Sequence, residues 1–286
     1  MPGIDLHTHS TMSDGTLTPT ELVALGKRSG LRALALTDHD ITDGLPEALA
    51  AGLEYELEVI PGCELAVDSD TGFMHLLGLF LPAQPTRLNA AMTWLRERRA
   101  SRNTRICDKL QSLGLNVTYE RVLEIAGEGT VGRPHIAKAI MEAGGADSVQ
   151  NAFDVYIGDR GRAYLPKDKL TPEKAIALLK EEGATTILAH PYTLDLDDKA
   201  EAQRIKELKD MGLDGIEVFY TEHTRTMTDK FATLAKDLDL LVSGGSDFHG
   251  TVKPSISLGR GRGGLHVPYA ILEAMKEARA KQGLPV

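Results

Sequence analysis

The sequence predicts an α/β protein built around an incomplete barrel, with a helical insertion between two blocks of that barrel. Short apolar runs alternate with amphipathic stretches over residues 1–82, and the same alternation returns over residues 165–286. Alternation of this kind indicates a largely parallel sheet or barrel with its helices outside. Residues 83–164 show helical periodicity and no good strand, which predicts the insertion.

Seven apolar runs have the length and residue types of strands. They are predicted at residues 4–8, 33–37, 58–61, 73–81, 185–189, 215–219 and 240–243. Between the first two, Thr18 is expected to cap a helix, with Pro19 at its first position and Glu21 completing a capping box. Seven strands in two blocks suit an incomplete barrel better than an eightfold one.

The insertion begins where the residues Pro-Ala-Gln-Pro at 82–85 break the alternation. An apolar stripe that starts at Leu88 resumes at Ile106 after an arginine-rich gap, and its spacing places Arg99 and Arg102 on the face expected to meet the protein. Two interpretations stay open. The helix is either a solvated basic helix whose stripe has shifted, or it overhangs the barrel mouth and points guanidinium groups at phosphate.

Composition and charge limit the function classes. Hydrophobic residues make up 42% and charged residues 26%, which is typical of a packed globular protein. The formal net charge of −9 argues against an extended nucleic-acid surface, but it allows a small anionic substrate. Because we recognise no signal peptide, no apolar run of about 18 residues and no cysteine motif, we expect a cytoplasmic protein without a membrane segment. The oligomeric state stays open.

Residues with metal-binding side chains stand at or near the end of almost every predicted strand. Active sites of α/β barrels are assembled at the carboxyl ends of several strands. The residues are His7 and His9 for the first strand, Asp38, His39 and Asp40 for the second, Glu64 for the third, His75 within the fourth, His190 for the fifth, and Asp247 and His249 for the last. Their shared placement predicts one common site.

The chemistry of these side chains predicts a metal cluster. Imidazole and carboxylate suit Mn²⁺, Zn²⁺ or Fe²⁺, and seven or more ligands exceed the three or four that one zinc uses, so two or three divalent transition metals are expected. A hydroxide between paired metals suits attack on phosphorus, which gives Glu64 and Asp247 a catalytic role. One buried histidine alone is more often a core residue than a ligand, and His266, past the last strand, is interpreted in that way.

Six short motifs follow one another along the two blocks. They are His-Thr-His at 7–9, Ser-Asp-Gly at 13–15, Thr-Asp-His-Asp at 37–40, Gly-Cys-Glu at 62–64, Ala-His-Pro at 189–191 and Gly-Ser-Asp-Phe-His at 245–249. In combination and order they resemble the PHP (polymerase and histidinol phosphatase) family. The resemblance implies a distorted (β/α)7 barrel, similar to a TIM barrel, with a trinuclear metal centre.

The resemblance also implies three ligand sets, two of which share Glu64. They are His7, His9, Glu64 and Asp247 for one metal, Glu64, His75 and His190 for a second, and Asp14, His39 and His249 for a third. Asp14 stands where other members of the family have histidine. A carboxylate is the harder ligand, so Mn²⁺ is the expected ion, with Zn²⁺ and Fe²⁺ as alternatives.

The interruption of the barrel resembles that of the small stand-alone family members, which act as 3′,5′-nucleotide bisphosphate phosphatases or 5′→3′ exoribonucleases. This resemblance implies that Arg133 and His135 in the insertion, and His223 after a barrel strand, contact phosphate. Arg99 and Arg102 are further candidates for substrate binding. Weaker candidates are Lys167, Arg260 and Arg262.

The predicted function is therefore that of a metal-dependent phosphoesterase acting on a nucleotide or on the 5′ end of a short RNA. His223 is expected either to donate to a phosphate oxygen or to protonate the leaving alkoxide. The nearest alternatives are a histidinol-phosphate-type phosphatase and an amidohydrolase, because a metal-activated hydroxide attacks either centre. A non-catalytic metal-binding regulatory module is the alternative from another class.

Overall fold

The computed structural model describes residues 3–127, 131–166 and 168–286, and it divides the chain into two compact units. One unit combines the residues up to Met92 with Leu170–Val286, and the other is Thr93–Lys169. The expected boundaries were 82/83 and 164/165. The first unit reaches Met92 because Leu88 and Met92 are buried in its core.

Eight strands form one sheet in the first unit. In chain order they are β1 Gly3–Asp5, β2 Ala33–Leu36, β3 Glu58–Val67, β4 Met74–Leu79, β5 Thr185–Leu188, β6 Gly215–Tyr220, β7 Leu241–Gly245 and the short β8 Val267–Pro268. Their order across the sheet is β7-β6-β5-β4-β3-β2-β1-β8. Seven of them match the predicted strands, and the predicted α/β barrel is confirmed.

The barrel closes where the loop after β7 meets the segment after β1. The backbone N–H of Leu6 donates to the carbonyl of Gly244 at 3.1 Å, and that of Asp247 donates to the carbonyl of His7 at 2.9 Å. A Cβ atom on Gly245 would lie 2.4 Å from the Cβ of His7, so only glycine allows this approach. Closure therefore brings two predicted ligand motifs side by side.

Strand β4 is antiparallel to both of its neighbours, which differs from the parallel arrangement expected for consecutive strands. The cause is the short connection between Val67 and Met74, since a parallel crossover needs a dozen or more residues. The pairing with β4 also extends β3 to Val67, so Glu64 lies inside the strand and not at its end. Because β4 runs in reverse, His75 near its start reaches the same rim as the other ligands.

Ten α-helices lie within the described residues, and those of the barrel unit follow the predicted pattern. They are α1 Pro19–Arg28, α2 Leu45–Glu54, α3 Thr86–Ser112, α4 Tyr119–Ala126, α5 Arg133–Glu142, α6 Val149–Ala152, α7 Pro172–Glu181, α8 Asp198–Asp210, α9 Arg225–Asp237 and α10 Tyr269–Lys281. Thr18 caps α1 with both bonds of the predicted capping box. None of the helices is long and apolar enough to cross a membrane, within the residues described.

The described residues of the second unit form helices joined by loops, without a strand, and they have their own apolar core, which includes Ile106, Leu110, Val122 and Ile136. The arginine-rich gap in the apolar stripe lies within one continuous helix, since α3 runs through it for 27 residues. Arginine is a good helix former, so the change from apolar residues to arginines does not end the helix.

Candidate metal centre

Nine predicted metal ligands come together at one rim of the barrel unit. The ligands form three groups, and within each group the donor atoms lie within 4.8 Å of one another. The groups are His7, His9, Glu64 and Asp247, then His9, Asp14, His39 and His249, and then His39, Glu64 and His75. His190 joins them through Glu64, whose Oε1 lies 3.0 Å from His190 Nε2. The grouping differs from the implied sets in that His9 and His39 each stand in two groups.

Glu64 occupies the middle of this cluster. Its Oε1 faces His75 Nδ1 at 2.8 Å, while its Oε2 faces His7 Nε2 at 3.1 Å and His39 Nδ1 at 3.1 Å. The two oxygens thus point at different sets of imidazoles. A carboxylate in this position has the geometry needed to bridge two metals.

The donor set fits metal ions better than it fits a hydrogen-bonded network. Nε2 of His9 lies 3.1 Å from Asp247 Oδ1 and 3.2 Å from Glu64 Oε2. Even so, both ring nitrogens of His9 are buried and make no well-aligned hydrogen bond with any described residue. Buried polar atoms are normally satisfied. Donor atoms that converge without alignment are what a shared cation requires.

Two of the predicted ligands have a left-handed backbone conformation. The φ angle is 27° at His190 and 55° at Asp247. Such angles are uncommon outside glycine and cost about 1–3 kcal/mol where the surrounding structure holds them. Hydrogen bonds from their backbone N–H groups hold both residues in place. Asp247 donates to the carbonyl of His7, and His190 donates to Glu217 Oε2 at 2.8 Å.

The histidines and the carboxylates shift one another's pKa values. Burial alone would raise the pKa of Glu64, but the neighbouring His39 and His7 outweigh it and hold that pKa well below its ordinary range. Burial lowers the pKa of His39 to about 3, against the attraction of Glu64. Burial would also lower the pKa of His9, but the carboxylates of Asp247 and Glu64 outweigh it and raise that pKa to about 9. Metal binding at this site therefore competes with protons on part of the histidine set.

Sequence reasoning missed three residues that support the cluster. Glu217 is fully buried, and its Oε1 lies 3.1 Å from His7 Nδ1, on the side of the ring away from Glu64. Tyr220 donates its hydroxyl to Asp247 Oδ2 at 2.9 Å, and Lys253 Nζ lies 2.6 Å from the same oxygen. Carboxylates that orient ligating histidines are a regular feature of metal sites, so the odd position of Glu217 in an apolar strand was the available signal.

The predicted substrate contacts of the insertion form an arginine cluster within the second unit. Arg102 is 6% exposed, and its Nε has no hydrogen-bond partner among the described residues. Burial lowers the pKa of Arg102, and the charges of Arg133 and Arg99 lower it further. Like charges held together in this way favour an anion between them. Arg102 therefore lies on the buried face of α3, as the spacing of the apolar stripe predicts.

The first turn of α5 belongs to the same cluster. The guanidinium of Arg133 lies 5.7 Å from the Phe153 ring and donates weakly to the carbonyl of Ile157 at 3.3 Å. Nδ1 of His135 accepts a bond from the N–H of Gly132 at 3.1 Å, which leaves the proton of a neutral ring on Nε2. A helix N-terminus with an imidazole N–H and arginine side chains suits phosphate.

His223 lies in the turn between β6 and α9, outside all three ligand groups. Its Nδ1 donates to the carbonyl of Val218 at 2.9 Å, and its ring packs against Tyr192, Tyr220 and Phe231. Its Nε2 is buried and has no hydrogen-bond partner in the described parts of the chain. Burial lowers the pKa of His223, so the imidazole is mainly neutral near pH 7, with its lone pair on Nε2.

The remaining candidates from the sequence have less to support them. Arg262 donates to Glu222 Oε1 at 2.7 Å in an exposed ion pair. Arg260 is exposed. His266 is in none of the three ligand groups, but it is exposed and is therefore not the core residue expected from the sequence. Lys167 lies outside the described residues.

Comparison with known proteins gives matches that span both units. A model of the PHP domain matches residues 5–182, a range that holds six of the nine predicted ligands. A 5′-3′ exoribonuclease of Haemophilus influenzae is 33% identical over 86% of this chain and 89% of its own length. A 3′,5′-nucleoside bisphosphate phosphatase of Chromobacterium violaceum is 31% identical over 87% of this chain and 88% of its own.

A solved structure agrees with these matches. The crystal structure of a metal-dependent phosphoesterase from Bifidobacterium adolescentis has a TM-score of 0.73 and 30% identity to this chain, and the alignment covers 96% of both. This coverage extends the likeness over the whole barrel and the helical unit alike.

Proposed function

This chain belongs to the PHP domain family of metal-dependent phosphoesterases, and from that premise we propose that it hydrolyses phosphate esters of small nucleotides, either 3′,5′-bisphosphates or the 5′ ends of short RNA. The observation that carries the proposal is the placement of Glu64 between two sets of histidines, with Asp247 beside one of them. Bound divalent ions supply Lewis acidity there, since they stabilise charge on phosphoryl oxygens and lower the pKa of water.

The protein's own residues then have separate tasks. In this proposal Glu64 and Asp247 hold the metals and fix their spacing, while Glu217 orients His7. Two to three metals are expected, with Mn²⁺ favoured by the carboxylate of Asp14. His223, once protonated on Nε2, donates to the leaving group or to a phosphate oxygen, and because its pKa is lowered this form prevails only at acidic pH.

We further propose that the arginine cluster of the insertion binds a second phosphate of the substrate. Three observations support it: the buried Nε of Arg102, which has no hydrogen-bond partner among the described residues, the charge of Arg99 and Arg133 beside it, and the imidazole of His135, whose Nδ1 is occupied by the N–H of Gly132. A bisphosphate offers one phosphate for hydrolysis and another for this contact. A nucleotide with two separated phosphates is therefore the substrate class that uses both features.

A phosphate-release screen tests the proposed function directly. Protein loaded with Mn²⁺ is incubated with 3′,5′-bisphosphates, 5′-phosphorylated oligoribonucleotides and histidinol phosphate, and chelator-treated protein serves as the control. We expect release from the nucleotides and none from the chelated sample. Release only from histidinol phosphate would favour that alternative. A fully metal-loaded protein that releases nothing would favour the regulatory module.

Replacing Arg133 with alanine tests the second phosphate site. A charge-assisted contact made in both the ground and the transition state is worth about 1.5–3 kcal/mol, so KM for a bisphosphate should rise roughly tenfold or more with little change in kcat. A monophosphate should be affected much less. Arg121→Ala is the matched control, because Arg121 is an exposed arginine of the same unit that pairs with Glu142. An unchanged kcat/KM for bisphosphates in Arg133→Ala would remove the insertion as the second site.

A further inference from the structure

Lys253 stands at the metal centre without belonging to any predicted ligand set. It follows His249 after a single tight turn, in which the N–H of Lys253 donates to the carbonyl of Gly250 at 3.3 Å. Its Nζ lies 2.6 Å from Asp247 Oδ2, the carboxylate oxygen that also accepts the hydroxyl of Tyr220. The other oxygen of Asp247, Oδ1, faces the imidazoles of His7 and His9. Lys253 thus approaches Asp247 from the side opposite the histidines.

The ammonium group of Lys253 borders the cavity into which the cluster opens. This cavity has a volume of about 180 Å³, and His39, Glu64, His75 and His190 line it together with Lys253. Among the described residues that line the cavity, Lys253 alone carries a permanent positive charge. An anionic group that enters the cavity therefore meets one fixed cation of the chain.

The ammonium also has donors to spare. It carries three N–H groups, and within the described residues only the bond to Asp247 engages one of them. Its side chain is 37% exposed, against 7% for Asp247, so it is not locked into a buried ion pair. A compact charge with free donors at the edge of a cavity is a common way for lysine to bind phosphate.

We propose that Lys253 is a substrate-binding residue that contacts a non-bridging oxygen of the phosphate undergoing hydrolysis. The competing explanation is structural: Lys253 only holds Asp247 in place for metal binding. The two explanations differ in what they predict for phosphate affinity and for metal content. The inference rests on the proposed phosphoesterase function. Because the affinity for inorganic phosphate is measured without turnover, a failure of the Lys253 contact can be distinguished from a failure of the proposed function.

The experiment compares Lys253→Met with Lys253→Arg in the metal-loaded protein. Calorimetric titration with inorganic phosphate should give a dissociation constant raised roughly tenfold or more in Lys253→Met, and one within about threefold of wild type in Lys253→Arg, because the charge is kept. Elemental analysis should find the metal content unchanged in both. Circular dichroism checks that both variants fold.

Two results would overturn the inference. If Lys253→Met binds phosphate as tightly as wild type, the ammonium makes no contact with it. If the variant instead loses metal, Lys253 acts by holding Asp247, and Tyr220→Phe, which removes the other donor to the same oxygen, should then lose metal too. If phosphate affinity falls while nucleotide turnover is absent in the wild type, only the proposed substrate is wrong, and the contact stands.

Discussion

Glu64 belongs to two of the three ligand groups, and its two oxygens face different histidines. Replacing it with alanine should remove more metal than replacing any single histidine, because two ions lose a ligand at once. We expect roughly one metal or fewer per chain in Glu64→Ala, against roughly two in His75→Ala, by elemental analysis of protein prepared without chelator. Equal metal content in Glu64→Ala and wild type would remove the bridging role.

His223 tests whether a residue outside the ligand groups takes part in the reaction. His223→Asn should keep the full metal content but lose roughly 10²–10⁴-fold in rate if the imidazole is the general acid. The loss should shrink for a nitrophenyl phosphate, whose leaving group needs little protonation. An equal loss on both kinds of substrate would point to phosphate positioning, and an unimpaired variant would leave His223 without a role.

The pKa of His223 adds a pH signature to the same comparison. Burial lowers this pKa below its ordinary value of 6.5. A general acid must be protonated, so its contribution is present below the pKa and is lost as pH rises through it. The ratio of wild-type to His223→Asn rates should therefore fall with rising pH, and a ratio that is constant across the acidic range would contradict the acid role.

Among elements, the junction of β1 and β7 depends on the absence of a side chain at Gly245. A Cβ there would lie 2.5 Å from the backbone nitrogen of His7, and backbone atoms have little freedom to give way. Gly245→Ala should lower the free energy of unfolding by about 1–3 kcal/mol in urea denaturation, and it should reduce the metal content. Gly264→Ala is the control, because a Cβ there meets nothing within 4 Å. Equal stability of both variants would show that the junction tolerates a methyl group.

Elements that depend on local signals were predictable, and those that depend on pairing were not. The capping box of Thr18 and Glu21 acts within one helical turn, and it is present as the sequence predicts. The reversal of β4 and the extension of β3 past Glu64 come from the hydrogen bonds between these two strands. The pattern of apolar residues within one strand does not indicate which strand it pairs with or in which direction.

At the scale of the whole molecule, the sequence predicts the metal ligands, but it does not predict the residues that orient those ligands. Ligands such as His7, His190 and Asp247 stand in short polar motifs that follow strands. Glu217 lies within an apolar strand, and its function depends on packing against His7 and His190. Lys253 was missed because its contact with Asp247 depends on the turn after His249, which the sequence does not specify.

Metal binding should stabilise the barrel unit selectively. The ligand groups join β3 to the segments that follow β1 and β7, whereas no such group occurs in the described part of the helical unit. A ligand present at about 100 times its Kd stabilises the folded state by about 2.7 kcal/mol, equivalent to roughly 100-fold slower exchange of amides that open with the whole unit.

Hydrogen exchange followed by mass spectrometry, with and without chelator, tests this selectivity. Peptides that contain the amides of His9, Glu64 and Asp247, all bonded between segments of the barrel, should exchange up to about 100-fold faster after chelation. Peptides from α5, which packs in the separate core of the helical unit, should change little. Equal acceleration in both would mean that the two units unfold together. No acceleration in the barrel peptides would mean that its strands hold the ligands in position without the energy of metal binding.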